Sequence, residues 1–194
     1  REERVFLCLH DTVDFPSAFL GALYAGVVPV AANTLLTVDD YAYMLGHSRA
    51  QALLVSGPLL PTLMQALARG THEVKRVIVS RPTEAVAGDA TEFGAWIDAA
   101  PAAGAPAATG CDEMAFWLYS SGSTGRPKGT VHSHGNLYWT QETYGRHVLG
   151  LREDDVVFSA AKLFFAYGLG NALTFPLSAG ATTVLMAERP TPQA

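Results

Sequence analysis

The 194-residue sequence lacks what membrane, nucleic-acid and secreted proteins carry in abundance. Cysteine is scarce: Cys8 and Cys111 cannot build a disulfide framework, and no secretory leader opens the chain, so a reducing cytoplasm is the expected compartment. Long hydrophobic runs are missing too, since the 49% of apolar residues is never gathered into a stretch able to span a bilayer. Positive charge is in deficit, 13 basic against 18 acidic residues for a net −5, which leaves no basic surface for nucleic acid or an anionic membrane. Lysine is rarer still, with only Lys75, Lys128 and Lys162. In so arginine-rich a chain, a lysine retained at a ligand site points to a need for a compact, mobile ammonium.

What is present is an alternation of short β-rich runs with helical stretches, the pattern of an α/β fold built on a layered parallel sheet. Val5–Leu9, Val27–Ala31, Gln51–Ser56 and Val74–Ser80 read as strands, and Phe15–Ala25 and Pro58–Arg69 as helices. Thr37 is placed to cap a helix running through Leu45, with Asp39 and Asp40 in its first turn where the helix dipole favours negative charge. Between Ala99 and Gly110 the string AAPAAGAPAATG marks an exposed connection. It divides the chain into a first α/β subdomain over 1–99, a linker at 100–110 and a second subdomain over 111–194. In the latter, strands are expected at 114–119, near Thr130–His132, at Val156–Ser159 and at Ala181–Met186, with a helix from Asn136 to Val148.

The most informative stretch is Tyr119–Gly129, YSSGSTGRPKG, which follows the strand-like Met114–Leu118 and therefore emerges at a carboxyl end of the sheet, where open α/β sheets bind ligands. Its composition suits a polyphosphate. Gly122 and Gly125 let successive backbone amides turn inward as an anion nest, Ser120, Ser121, Ser123 and Thr124 supply hydroxyl donors, and Lys128 supplies a point charge. It is not a Walker loop, because Pro127 precedes the lysine and Gly129 follows it. The nucleophile elbow G-x-S-x-G is absent, and Gly168 and Gly170 begin a dinucleotide fingerprint that Leu173 fails to complete. Instead, with all eleven positions matched and serine replacing threonine at Ser120 and Ser123, the loop resembles the phosphate-binding signature of the acyl-adenylate-forming superfamily: acyl-CoA synthetases, luciferases and adenylation domains.

A second stretch, Lys162–Asn171 (KLFFAYGLGN), resembles the acyl-pocket segment of that superfamily, and its wording is most like the benzoate-CoA ligases and their hydroxybenzoate and aminobenzoate relatives. The resemblance maps the acid-binding pocket onto Phe165, Ala166, Tyr167 and Gly168. Aromatic walls with small residues between them suit a flat ring. Lys162 either faces a substrate or caps a strand. His132 and His134 alternate as a metal pair would, but no third ligand stands at zinc-site spacing, so no metal site is expected; Ser133 and His134 are instead placed to start a helix. The remaining histidines read as structural or exposed.

The resemblance implies an ATP-dependent aryl-CoA ligase, an acid–thiol ligase that forms AMP, using ATP, Mg2+ and coenzyme A. Its partners would be a small aromatic carboxylate, ATP and coenzyme A, without nucleic acid or membrane, and with homodimerisation left open. The superfamily is much longer than this chain and keeps its catalytic lysine downstream, so no catalytic residue is assigned within residues 1–194 and the fragment alone is expected to be inactive. An aliphatic acyl-CoA synthetase, a standalone adenylation domain and a non-catalytic nucleotide-phosphate-binding fragment are the alternatives.

Overall fold

A computed structural model describes residues 2–86, 88–102, 104–120 and 125–194. Strands β1 (Arg4–Cys8), β2 (Val28–Ala31), β3 (Ala52–Ser56), β4 (Arg76–Ser80) and β5 (Thr91–Glu92) run parallel and alternate with helices α1 (Asp14–Tyr24), α2 (Val38–Ser48) and α3 (Leu60–Arg69), followed by the short α4 (Phe93–Asp98). Strand β6 (Met114–Ser120) adds parallel to β2, and β7 (Lys128–Ser133) adds antiparallel to β6. The seven strands therefore lie in the order β5-β4-β3-β1-β2-β6-β7, and those on either side of the 99–110 connection share one sheet.

Period-two patterning decides which face each strand residue serves. Val5, Leu7 and Leu9 pack with Phe15 and Phe19 of α1 and with Phe116 and Leu118 of β6. Phe6 and Cys8, the residues between them, pack on the opposite face with Tyr41, Met44 and Leu45 of α2 and Leu63 and Ala66 of α3. The sheet is thus buried on both sides, as parallel sheets must be, and its strands read as continuous apolar runs for that reason. Helix α2 starts as its sequence indicates: Thr37 occupies the N-cap, its Oγ1 accepts the Asp40 N–H, and the Asp40 carboxylate accepts the Thr37 N–H.

The strand expected near Thr130–His132 is β7, and its antiparallel direction was not anticipated from the sequence. Only seven residues separate Ser120 from its register partner Lys128, too few for a crossover, so the chain has to fold straight back on β6. Beyond β7, α5 (His134–Thr140) continues as a π-helical stretch over Gln141–Leu149 where one helix to Val148 was expected. A second π-helical stretch, Gly170–Thr174, links α6 (Ala166–Leu169) to α7 (Phe175–Ala179). Gly145 lets the first of these stretches approach α7, since a Cβ there would lie 3.2 Å from Phe175 Cβ. Strands β8 (Val156–Phe158) and β9 (Thr182–Val184) form a separate parallel pair.

Candidate active site

The phosphate-loop motif joins β6 to β7 at the carboxyl edge of the sheet, next to β2. Ser121, Gly122, Ser123 and Thr124 lie outside the described residues; Ser120, Gly125 and Lys128 are described. Gly125 has φ +85°, the left-handed conformation that an anion nest needs and that a side chain would strain. Lys128 opens β7 with its side chain exposed. The root of the loop is braced from α2: the His47 Nδ1 and Tyr119 hydroxyl are 2.8 Å apart, His47 stacks on Tyr43, and the Arg126 guanidinium sits 5.5 Å above the Tyr43 ring. Burial pushes the Tyr119 hydroxyl well above the usual phenol range, so it stays protonated. Sequence reasoning passed over this brace. The signal that could have found it is the i,i+4 spacing of Tyr43 and His47 on one face of α2.

Residues far apart in sequence converge on that loop root. A cleft of about 370 Å3 is lined by Ser120, Gly125 and Pro127 from the loop, Asn33 from the end of β2, and Phe164 and Phe165. The two phenylalanine rings lie 4.4 Å apart and tilted by 50°, with Phe164 buried and Phe165 48% exposed at the mouth. A smaller cavity of about 100 Å3 is lined by Phe116, His132, Leu137, Ala166, Gly170 and Phe175, among others. Its His132 ring lies flat on Phe116, 4.6 Å between centroids and 5° between planes, and burial lowers the imidazole pKa, so this wall is neutral at physiological pH.

Of the four residues matched to an acid pocket, Phe165 lines the loop cleft and Ala166 the smaller cavity. Tyr167 is 67% exposed and lines neither. Gly168 is buried, but the room its missing side chain leaves is taken by backbone: an added Cβ would lie 2.1 Å from the Lys162 carbonyl oxygen and 2.5 Å from that of Ala161. Lys162 caps the exit of β9. Its Nζ donates to the carbonyls of Met186 and Glu188, just past β9, and stands 4.0 Å from the Asp11 carboxylate. Ser133 holds the N-cap of α5, where Asn136 Oδ1 accepts both its N–H and its hydroxyl. His132 and His134 do different work, one with its ring stacked in a cavity wall and the other donating its backbone N–H to the Glu113 carbonyl.

A model of the family described as AMP-binding enzyme matches residues 1–194. The chain belongs to this family. Among AMP-binding enzymes it is 53% identical over its full length to a benzoate–CoA ligase of Thauera aromatica and 48% identical to a 4-hydroxybenzoate–CoA/benzoate–CoA ligase of Rhodopseudomonas palustris. A benzoate CoA ligase from Burkholderia xenovorans LB400 superposes with a TM-score of 0.88 at 60% identity, over 98% of this chain and 36% of that one. The anthranilate CoA ligase AuaEII, solved in complex with anthranoyl-AMP, superposes with a TM-score of 0.91 at 34% identity, over 96% of this chain and 36% of that one. The mainly parallel α/β architecture read from the sequence is therefore the family's own. The chain covers 36% and 34% of the two curated relatives, about a third of their length.

Proposed function

We propose that this chain carries the phosphate- and acid-binding portion of an enzyme that joins benzoate or a closely related aromatic acid to coenzyme A, with conversion of ATP to AMP and pyrophosphate. The observation that carries the reading is the shared cleft: Phe164 and Phe165 open onto the same space as Ser120 and Gly125, so an acid and a triphosphate tail would meet there. The names of the relatives at 53% and 48% identity favour benzoate and hydroxybenzoate as the acid.

The chemistry has two steps. A carboxylate oxygen attacks the α-phosphorus of ATP, the new acyl–phosphate bond forms, and the bond to pyrophosphate breaks. The coenzyme A thiolate then attacks the acyl carbon, and AMP leaves with the carbon–oxygen bond pair. In the first step the leaving pyrophosphate gathers charge, and the loop's part is electrostatic: hydroxyls of Ser120, Ser121, Ser123 and Thr124, the amides at Gly122 and Gly125, and the Lys128 ammonium would hold the β- and γ-phosphates in line with the attacking oxygen. Mg2+ would accompany the triphosphate as its counter-ion, and coenzyme A would enter only after the acid is activated. Two free cysteines suit the cytoplasm as the working compartment.

The ring would occupy the space between Phe165 and Ala166, with Tyr167 and Gly168 completing the turn that shapes it. At about 100 Å3, below the roughly 150 Å3 that holds benzene, the cavity beside Ala166 would widen slightly to take a ring and leaves no room for a long chain. The described residues lining it include no lysine or arginine, which leaves the carboxylate to the loop side. Acid-dependent ATP–pyrophosphate exchange by the full-length protein tests the reading. Benzoate and its amino and hydroxy derivatives are expected to outrun hexanoate by about tenfold or more, as a ring-shaped pocket discriminates against a flexible chain. Faster exchange with the alkyl acid would overturn it.

A further inference from the structure

Three stretches of chain meet at the carboxyl end of β1, at a point distinct from both the loop cleft and the smaller cavity. Asp11, only 4% exposed, follows β1 by three residues. Its two carboxylate oxygens accept the Leu163 N–H at 3.3 and 3.2 Å, across 152 residues of sequence. Lys162, one residue earlier, reaches from Asp11 to the carbonyls of Met186, Ala187 and Glu188. The exit of β1 is itself tied to the sheet, because the His10 N–H donates to Ser56 Oγ at the end of β3.

That anchor transmits directly into the proposed acid site. The Lys162 carbonyl accepts the Phe165 N–H at 3.0 Å, the Phe165 carbonyl accepts the Leu169 N–H at 2.8 Å, and Gly168 rests against the Ala161 and Lys162 carbonyls. A shift of the backbone at 162–163 would therefore carry Phe165 and Ala166 with it. A buried carboxylate is an expensive way to hold one amide. Burial pushes Asp11 up to about 6, against the pull of Lys162 and the Leu163 N–H. A residue used only to fill space at this position could be apolar.

We infer that Asp11 is a positioning residue for substrate acid: through the Leu163 amide and the Lys162 ammonium it sets where Phe165 and Ala166 stand, without touching the ring itself. The inference rests on the aryl-acid reading above, and its test separates the two. In the full-length protein, Asp11→Ala is expected to raise the KM for benzoate about tenfold, because Phe165 and Ala166 lose their placement, while the KM for ATP changes less than about twofold. Asp11→Asn, which keeps one carbonyl oxygen for Leu163, is expected to recover part of that loss. Equal rises in both KM values would overturn the inference. Absence of benzoate-dependent exchange in the wild type would instead refute the aryl-acid reading. Hydrogen exchange resolved by peptide, which needs no substrate, then decides the anchor on its own: residues 162–169 should exchange about tenfold faster in Asp11→Asn while β1 and β3 stay protected. Unchanged exchange at 162–169, or a uniform rise through the core strands, would overturn it.

Discussion

Gly168→Ala perturbs the molecule by one methyl group at the point where α6 touches the strap that precedes it. The added Cβ would stand 2.1 Å from the Lys162 carbonyl oxygen and 2.5 Å from that of Ala161, whereas real Cβ contacts essentially never fall under 3.0 Å. Both obstacles are backbone, so no side chain can swing aside, and α6 and residues 161–162 must part by about 1 Å. Overpacking of this kind costs about 1–3 kcal/mol, and loosening the hydrogen bond from the Phe165 N–H to the Lys162 carbonyl adds about 1 kcal/mol. For a chain of this size, 2–4 kcal/mol corresponds to a fall in Tm of roughly 10 °C. Urea and thermal unfolding measure it, with Gly21→Ala as the control. Gly21 lies inside α1 with nothing within 4 Å of an added Cβ, so alanine there should stabilise by about 0.5–1 kcal/mol through helix propensity. If Gly168→Ala unfolds within about 0.5 kcal/mol of the wild type, α6 is not seated on residues 161–162 as described, and the route from Asp11 to Ala166 fails with it.

Three further outcomes are expected. Lys128→Ala in the full-length protein should slow adenylate formation about 100-fold, roughly 3 kcal/mol of barrier, yet leave thioester formation from preformed aryl-adenylate nearly unchanged; equal losses in the two single-turnover assays would remove the lysine from the phosphate site. Ala166→Phe should fill the cavity of about 100 Å3 and raise the KM for benzoate about tenfold or more while ATP affinity holds, and unchanged benzoate turnover would move the acid elsewhere. Burial keeps the His132 pKa below the ordinary imidazole value, so as pH falls from 7 toward 5 the unfolded chain takes up a proton first and stability drops. His132→Phe, which preserves the stack on Phe116, should lose less stability over that interval in urea titrations at the two pH values; an equal loss would contradict a buried, neutral His132.

Local chemistry was legible along the chain because its causes are local. Continuous apolar runs mark β1 and β3, and the threonine and aspartates at 37–40 mark the start of α2; each signal lies within a few residues of the feature it specifies. Even there, brief elements escaped: β5 and α4 over 91–98 are too short for periodicity to register, and the helical turns over 166–179 went unread because glycines and small residues break up their apolar period.

What the tertiary structure alone decided is which distant groups became neighbours. Nothing near Tyr119 announces His47, nothing near Leu163 announces Asp11, and the choice between substrate ligand and strand cap for Lys162 had no local answer; the strand order and the side of the sheet on which each helix packs made those pairs. The physical reason is that a backbone torsion or a capping bond depends on adjacent residues, whereas a contact across 72 or 152 positions depends on how the whole chain buries its two apolar faces at once.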